Sequence, residues 1–127
     1  ERGLMEGNAK IIKLINRDEA LHLAGTQRVI QYWMNGSEGE EMRELFFSLL
    51  PEINEIFTEA ANEEIEWSKY LFKGGSVIGL NAEILTQYVK YLTNTRMASL
   101  GLETIFDKQS NPIPWINTWT SSSIVQV

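Results

Sequence analysis

The chain has 127 residues, no cysteine, 17 acidic against 11 basic side chains, a single histidine and a formal charge of −6. That composition excludes a disulfide framework, a thiolate metal site and a cysteine nucleophile, and it fits a reducing compartment, so the cytoplasm is the expected location. Net negative charge with scattered basic residues disfavours binding to nucleic acid, and no apolar run approaches the roughly 20 residues that cross a bilayer, so no membrane partner is expected either.

One domain, or a piece of one, suits this length. The chain opens on Glu1 and its first residues already carry helical periodicity, so the natural start is expected upstream.

From Leu4 to Trp33 the apolar residues Ile11, Ile12, Leu14, Ile15, Leu23, Val29, Ile30 and Trp33 recur at three- and four-residue steps without proline, which predicts a long first helix. The turn formers of "NGSEGE", Asn35 to Glu40, end it. Met42, Leu45, Phe46, Leu49, Ile53, Ile56, Phe57, Ala60, Trp67 and Leu71 then trace the stripe of a second helix. Between Glu38 and Glu66 stand ten glutamates and only one arginine, Arg43, which reads as a solvated face. Pro51 removes a backbone donor and clashes with the preceding turn, so a kink or split is expected near Leu50. After "KGGSVIGLN", Asn81 is an N-cap candidate, and Ile84, Leu85, Tyr88, Val89, Leu92, Arg96, Ser99 and Leu102 carry a third helix. The tail "SNPIPWINTW" predicts an extended strap packed through Trp115 and Trp119, because prolines hold their preceding residues out of the helical region. The fold class is therefore all-α, with about three long helices, the second kinked near Pro51, and a C-terminal strap.

The chemistry concentrates in "INRDEALHLAG", Ile15 to Gly25. Helical steps of three, four and three put Ile12, Ile15, Glu19 and His22 on one face, which predicts a carboxylate and an imidazole following two isoleucines into the core. A buried, unpartnered carboxylate is costly, so Glu19 needs a cation, a proton or a metal ion. Oxygen and imidazole donors suit iron or manganese. Glutamate is abundant, 15 of 127 residues, so the Glu-x-x-His spacing alone is weak evidence, and a plain Glu19–His22 pair without metal stands beside the metal reading. Arg17 and Asp18 read either as a surface ion pair or, for Asp18, as a carboxylate orienting a metal-bound imidazole on another helix. A zinc protease of the His-Glu-x-x-His type fails for want of a second histidine.

"MEGNAKIIKLINRDEALHLAGTQ" resembles the C-terminal half of the small, radical-generating subunit of class I ribonucleotide reductase, and "EWSKYLFKGGSVIGLN", "QYVKYLTNTRM" and "SNPIPWINTW" agree in order and spacing across nearly the whole chain. The resemblance implies a ferritin-like bundle, in which two helices each give a Glu-x-x-His pair and two others one glutamate each. It also implies a di-iron centre that makes a tyrosyl radical for the reduction of ribonucleotides by a large subunit. Carried over residue by residue, Glu19 and His22 match metal ligands, Asp18 a member of the radical-transfer route with Arg17 its neighbour, and Ile12 and Ile15 the apolar shield of the radical site. With one histidine the chain completes at most half of such a site. None of Tyr32, Tyr70, Tyr88 or Tyr91 matches the radical position, and all four are expected to be packing residues.

Residues 1–127 are thus expected to be the C-terminal portion of a ferritin-like di-iron domain, with upstream helices and a C-terminal docking tail absent. This is the state of a shortened form, a split gene product, or a homodimer rebuilding a site from two copies. Missing helices would leave apolar stripes uncovered and favour self-association. The expected partners are the missing N-terminal half, the large subunit and further copies of the chain, and no reductase activity is expected of the chain by itself. The alternative is a non-catalytic helical oligomerisation or interaction module without bound metal.

Overall fold

In a computed structural model of the protein, residues 5–116 are described, and they form four helices: α1 Glu6–Met34, α2 Glu40–Ser48, α3 Leu50–Leu71 and α4 Ala82–Ser99. Among the described residues there is no strand, only an isolated bridge between Val77 and Leu80 that closes the turn before α4. The all-helical expectation holds.

Each boundary has a local cause. The α1 helix stops at Asn35 because Gly36 takes a left-handed backbone (φ 72°), which lets Gly36 N–H donate to Trp33 O at 3.2 Å and Ser37 N–H to Tyr32 O at 2.9 Å. Those two bonds satisfy carbonyls that the end of a helix leaves bare. The same device ends α4: Gly101 (φ 76°) donates to Ala98 O at 3.0 Å and Leu102 to Met97 O at 3.0 Å. Leu102 and Met97 are both buried in one cluster, the hydrophobic contact that accompanies this kind of cap. At the start of α4, Asn81 Oδ1 accepts from Ile84 N–H at 2.8 Å, as its N-cap position predicts.

The expected break near Pro51 is a full split. Proline has no N–H to continue the ladder and sits in the first turn of α3, where none is needed. Leu49, between α2 and α3, instead donates to Leu45 O at 3.2 Å and Phe46 O at 3.1 Å.

The core gathers where the end of α1, α2, the start of α3 and the end of α4 converge. Phe46, Met97, Leu100 and Leu102 are buried there, with Ile30, Trp33, Met34, Leu50, Ile53, Phe57 and Ile105 around them. The α3 helix runs along α4 through Ala61, Ile65 and Ser68, whose hydroxyl donates back to Glu64 O at 2.7 Å and so needs no other partner. All ten glutamates between Glu38 and Glu66 are exposed, and among the described residues only Glu40 (with Arg43, 3.2 Å) and Glu66 (with Lys69, 2.6 Å) have a basic partner. The solvated-face reading of the acidic run is correct.

Three expectations of packing need correction. No residue of α1 is buried, and Ile12 (63% exposed) and Ile15 (51%) lie on its surface, because no other described element covers the N-terminal two-thirds of this helix. The strap is anchored by Ile113, 1% exposed, while Trp115 lies over Gly79 and is 48% exposed; Trp119 lies outside the described residues. Asn111 Oδ1 accepts from Ile113 N–H at 2.9 Å, a turn that aims the isoleucine inward between two prolines. Finally, Trp67 and Tyr70 do not pack into a core: they stack on each other at 5.3 Å on the exposed side of α3, because α3 buries only its α4-facing side, and Tyr32 is likewise exposed. Tyr88 and Tyr91 are half-buried on α4 and stack at 6.3 Å, as packing residues do.

Candidate metal centre

The site is built from a single helix. α1 is continuous through Arg17, Asp18, Glu19 and His22, so its turn fixes their relative positions. Glu19 and His22, three residues apart, converge: Glu19 Oε2 lies 3.6 Å from His22 Nδ1. That is too long for a hydrogen bond, and it is short enough for both atoms to reach one ion at ligand distances of about 2.0–2.2 Å. The backbone under His22 is braced by Thr26, whose hydroxyl donates to His22 O at 3.0 Å.

The pair faces outward. The side chains of His22 and Glu19 are 74% and 70% exposed, and Ile12 and Ile15 share their face as the helical register requires. The expectation that this face enters the chain's own core is therefore corrected: the four residues are together on a surface that no other described element covers, flanked on the same side of α1 by the exposed Ile11 and Leu23. Such a surface is far more apolar than a helix facing solvent on that side requires.

Arg17 and Asp18 are exposed and form no ion pair with each other, since consecutive helical residues point about 100° apart. The surface-pair reading of these two is set aside, and Asp18 stands on the helix without a described partner. Among the described residues no group of three or more histidine or acidic side chains converges, so the donor set here is one carboxylate and one imidazole. Chemically it fits half of an iron or manganese site and no more.

One residue near the site escaped sequence reasoning. Arg96 of α4 lines, with Asn16, Glu19, Ala20, His22, Leu23 and Thr26, an open cleft of about 450 Å³. It stands in the "QYVKYLTNTRM" stretch and in the pattern of the third helix, but more than 70 residues separate it from the motif and neither feature says that it reaches Glu19. Side chains hold the two helices together just beside it: Gln27 Nε2 donates to Ser99 Oγ and Gln31 Nε2 to Ser99 O, both at 3.4 Å.

Residues 1–112 match the family model described as ribonucleotide reductase, small chain. The chain belongs to that family. Over all 127 residues it is 55% identical to ribonucleoside-diphosphate reductase 1 subunit beta of Salmonella typhimurium, covering 34% of that protein. Over 125 residues it is 42% identical to the subunit beta of Enterobacteria phage T4, covering 32% of it. Among solved structures it is similar to the ribonucleotide reductase R2 subunit from Clostridium botulinum, with a TM-score of 0.69 and 30% identity, over 94% of this chain and 36% of that one. The chain thus spans about a third of the length of its relatives, and its helices are part of the ferritin-like fold of this family. Among the described residues no helix is long and apolar enough to cross a membrane.

Proposed function

We propose that this chain is the C-terminal portion of the ferritin-like domain of a ribonucleoside-diphosphate reductase small subunit, and that Glu19 and His22 supply one Glu-x-x-His half of its metal site. The observation that carries the reading is the 3.6 Å approach of Glu19 Oε2 and His22 Nδ1 on a helix face that the other described helices leave largely exposed. An exposed helix face on which two isoleucines lead to a carboxylate and an imidazole is what a buried metal site leaves behind when the helices across from it belong to the rest of the subunit.

The metal is iron as a di-iron pair, with manganese as the second candidate, since carboxylate and imidazole donors suit both. When bound, the di-iron centre supplies the oxygen chemistry that generates a tyrosyl radical for ribonucleotide reduction. The part of this chain is to position and to exclude. Glu19 and His22 hold the ion from one helical turn. Ile12 and Ile15 keep water and reductants from the radical site. Asp18 orients the imidazole of a ligand on a facing helix and carries the radical-transfer route onward, with Arg17 beside it. The partners are the N-terminal half of the subunit, which brings the remaining ligands and the radical tyrosine, the large subunit, and a second copy of the small subunit. The protein acts in the cytoplasm.

Mixing the chain with the upstream portion of its small subunit, then adding ferrous iron and oxygen, tests this reading by optical absorption and electron paramagnetic resonance. The expected result is an iron-dependent radical signal in the folded complex that is lost in Glu19→Ala/His22→Ala. A folded complex without either signal rejects it.

The 74% and 70% exposure of the pair supports a second reading, a helical interaction module that binds no metal. Under it, manganous ion shifts the thermal unfolding of the wild type and of Glu19→Ala/His22→Ala equally. Under the metal reading only the wild type is stabilised, because an ion that binds the folded form alone raises stability by mass action.

A further inference from the structure

Arg96 stands in the last turn of α4 between two clefts. One, about 400 Å³, is walled by α3 and α4 and is mostly apolar, with Phe57, Val89 and Leu92, and Glu64 at its edge. The other is the cleft shared with α1, which offers the guanidinium the polar groups of Asn16, Glu19 and Thr26. Among the described residues no carboxylate lies within 4.0 Å of Arg96, and its side chain is exposed and free to choose between them. Five N–H donors in a planar fork are best satisfied where acceptors are several and one is a carboxylate.

From this placement we propose that Arg96 is a positioning residue for Glu19: its guanidinium turns into the α1 cleft and donates to the Glu19 carboxylate, fixing the rotamer of that side chain. The proposal rests on the reading of Glu19 as a metal ligand. Its physical basis is that a carboxylate has two oxygens with about four lone-pair sites, so it can accept from a guanidinium and would still have lone pairs for an ion, and such a donor restricts the rotamers of an otherwise exposed side chain. Such outer partners are commonly worth 10- to 100-fold in metal affinity. Arginine suits the role better than lysine because its fork sets direction as well as charge.

Two measurements on the 127-residue chain separate the possibilities. The first needs no metal: thermal unfolding of Arg96→Gln, Glu19→Gln, Glu64→Gln and the two doubles containing Arg96→Gln. Pairing with Glu19 makes the Arg96/Glu19 changes non-additive by about 2 °C, the size expected for an exposed ion pair, while Arg96 and Glu64 add. Additivity with Glu19, or coupling to Glu64 in its place, overturns the proposal. The second is manganous-ion affinity by electron paramagnetic resonance. Arg96→Gln is expected to weaken binding about tenfold or more, with Arg96→Lys between it and wild type. Unchanged or tighter binding in Arg96→Gln, the mark of a cation that only repels the ion, overturns it too. If Glu19→Ala/His22→Ala leaves the affinity where it was, the ligand reading itself has failed; if that variant loses the ion and Arg96→Gln does not, only the role of Arg96 has.

Discussion

Asn94 of α4 holds Phe106 by both ends of its amide: its Oδ1 accepts from Phe106 N–H at 3.2 Å and its Nδ2 donates to Phe106 O at 3.0 Å, with a further bond to Asp107 O at 3.2 Å. A side-chain amide used this way replaces the partner strand that an irregular segment lacks, and Lys90 adds its ammonium over the Phe106 ring at 5.5 Å. The segment after α4 is thereby fixed to the helix it has just left.

Asn94→Ala removes three bonds and leaves backbone groups of a half-buried residue without partners. It should cost about 1–2 kcal/mol and lower the unfolding midpoint by roughly 5 °C, read from urea and thermal denaturation. Asn94→Asp keeps the acceptor and loses the donor, so it should fall between.

Ile113 and Trp115 distinguish a buried anchor from a conspicuous but half-exposed ring. Ile113→Ala empties a fully enclosed site and is expected to cost about 2–4 kcal/mol, whereas Trp115→Ala, at a ring 48% exposed, should cost less than half of that. Denaturant midpoints give the order; the reverse order would return the strap to its tryptophan.

Gly101 closes α4 with φ 76°, a conformation that costs an L-residue roughly 1 kcal/mol, and its α-carbon faces Met34 of α1. An added Cβ would meet Met34 Cε at 3.5 Å, an ordinary contact, so Gly101→Ala should lose about 1 kcal/mol from backbone strain alone. Gly101→Asn, which tolerates the left-handed region, should lose less.

Burial raises the hydroxyl pKa of Tyr88 above its ordinary 10.0, an effect that Arg96 partly offsets by favouring the phenolate, with a smaller upward push from Tyr91. A raised folded-state value means that the unfolded chain gives up this proton first as pH rises. The stability that Tyr88 contributes is therefore whole below pH 10.0 and is lost as pH climbs through the higher folded-state value. Tyr88→Phe should flatten that part of the alkaline fall in unfolding midpoint and leave the curve near neutrality unchanged in slope.

Local signals carried much of this protein. Apolar spacing marked every helix, Gly36 and Asn81 marked an end and a start, Pro51 marked the split, and the Glu-x-x-His step put Glu19 and His22 on one turn, because each of these depends on atoms within a few residues of each other. What lies across space was decided by the tertiary structure. Ile12, Ile15, Glu19 and His22 share a face by helical register, yet whether that face is covered depends on which elements pack against α1, and here only its C-terminal end meets the core. Ile113 outranks Trp115 because burial follows the turn at Asn111 and not the size of the ring. Arg96 reaches the cleft of Glu19 only because α1 and α4 meet at Ser99, a juxtaposition that no spacing along the chain encodes.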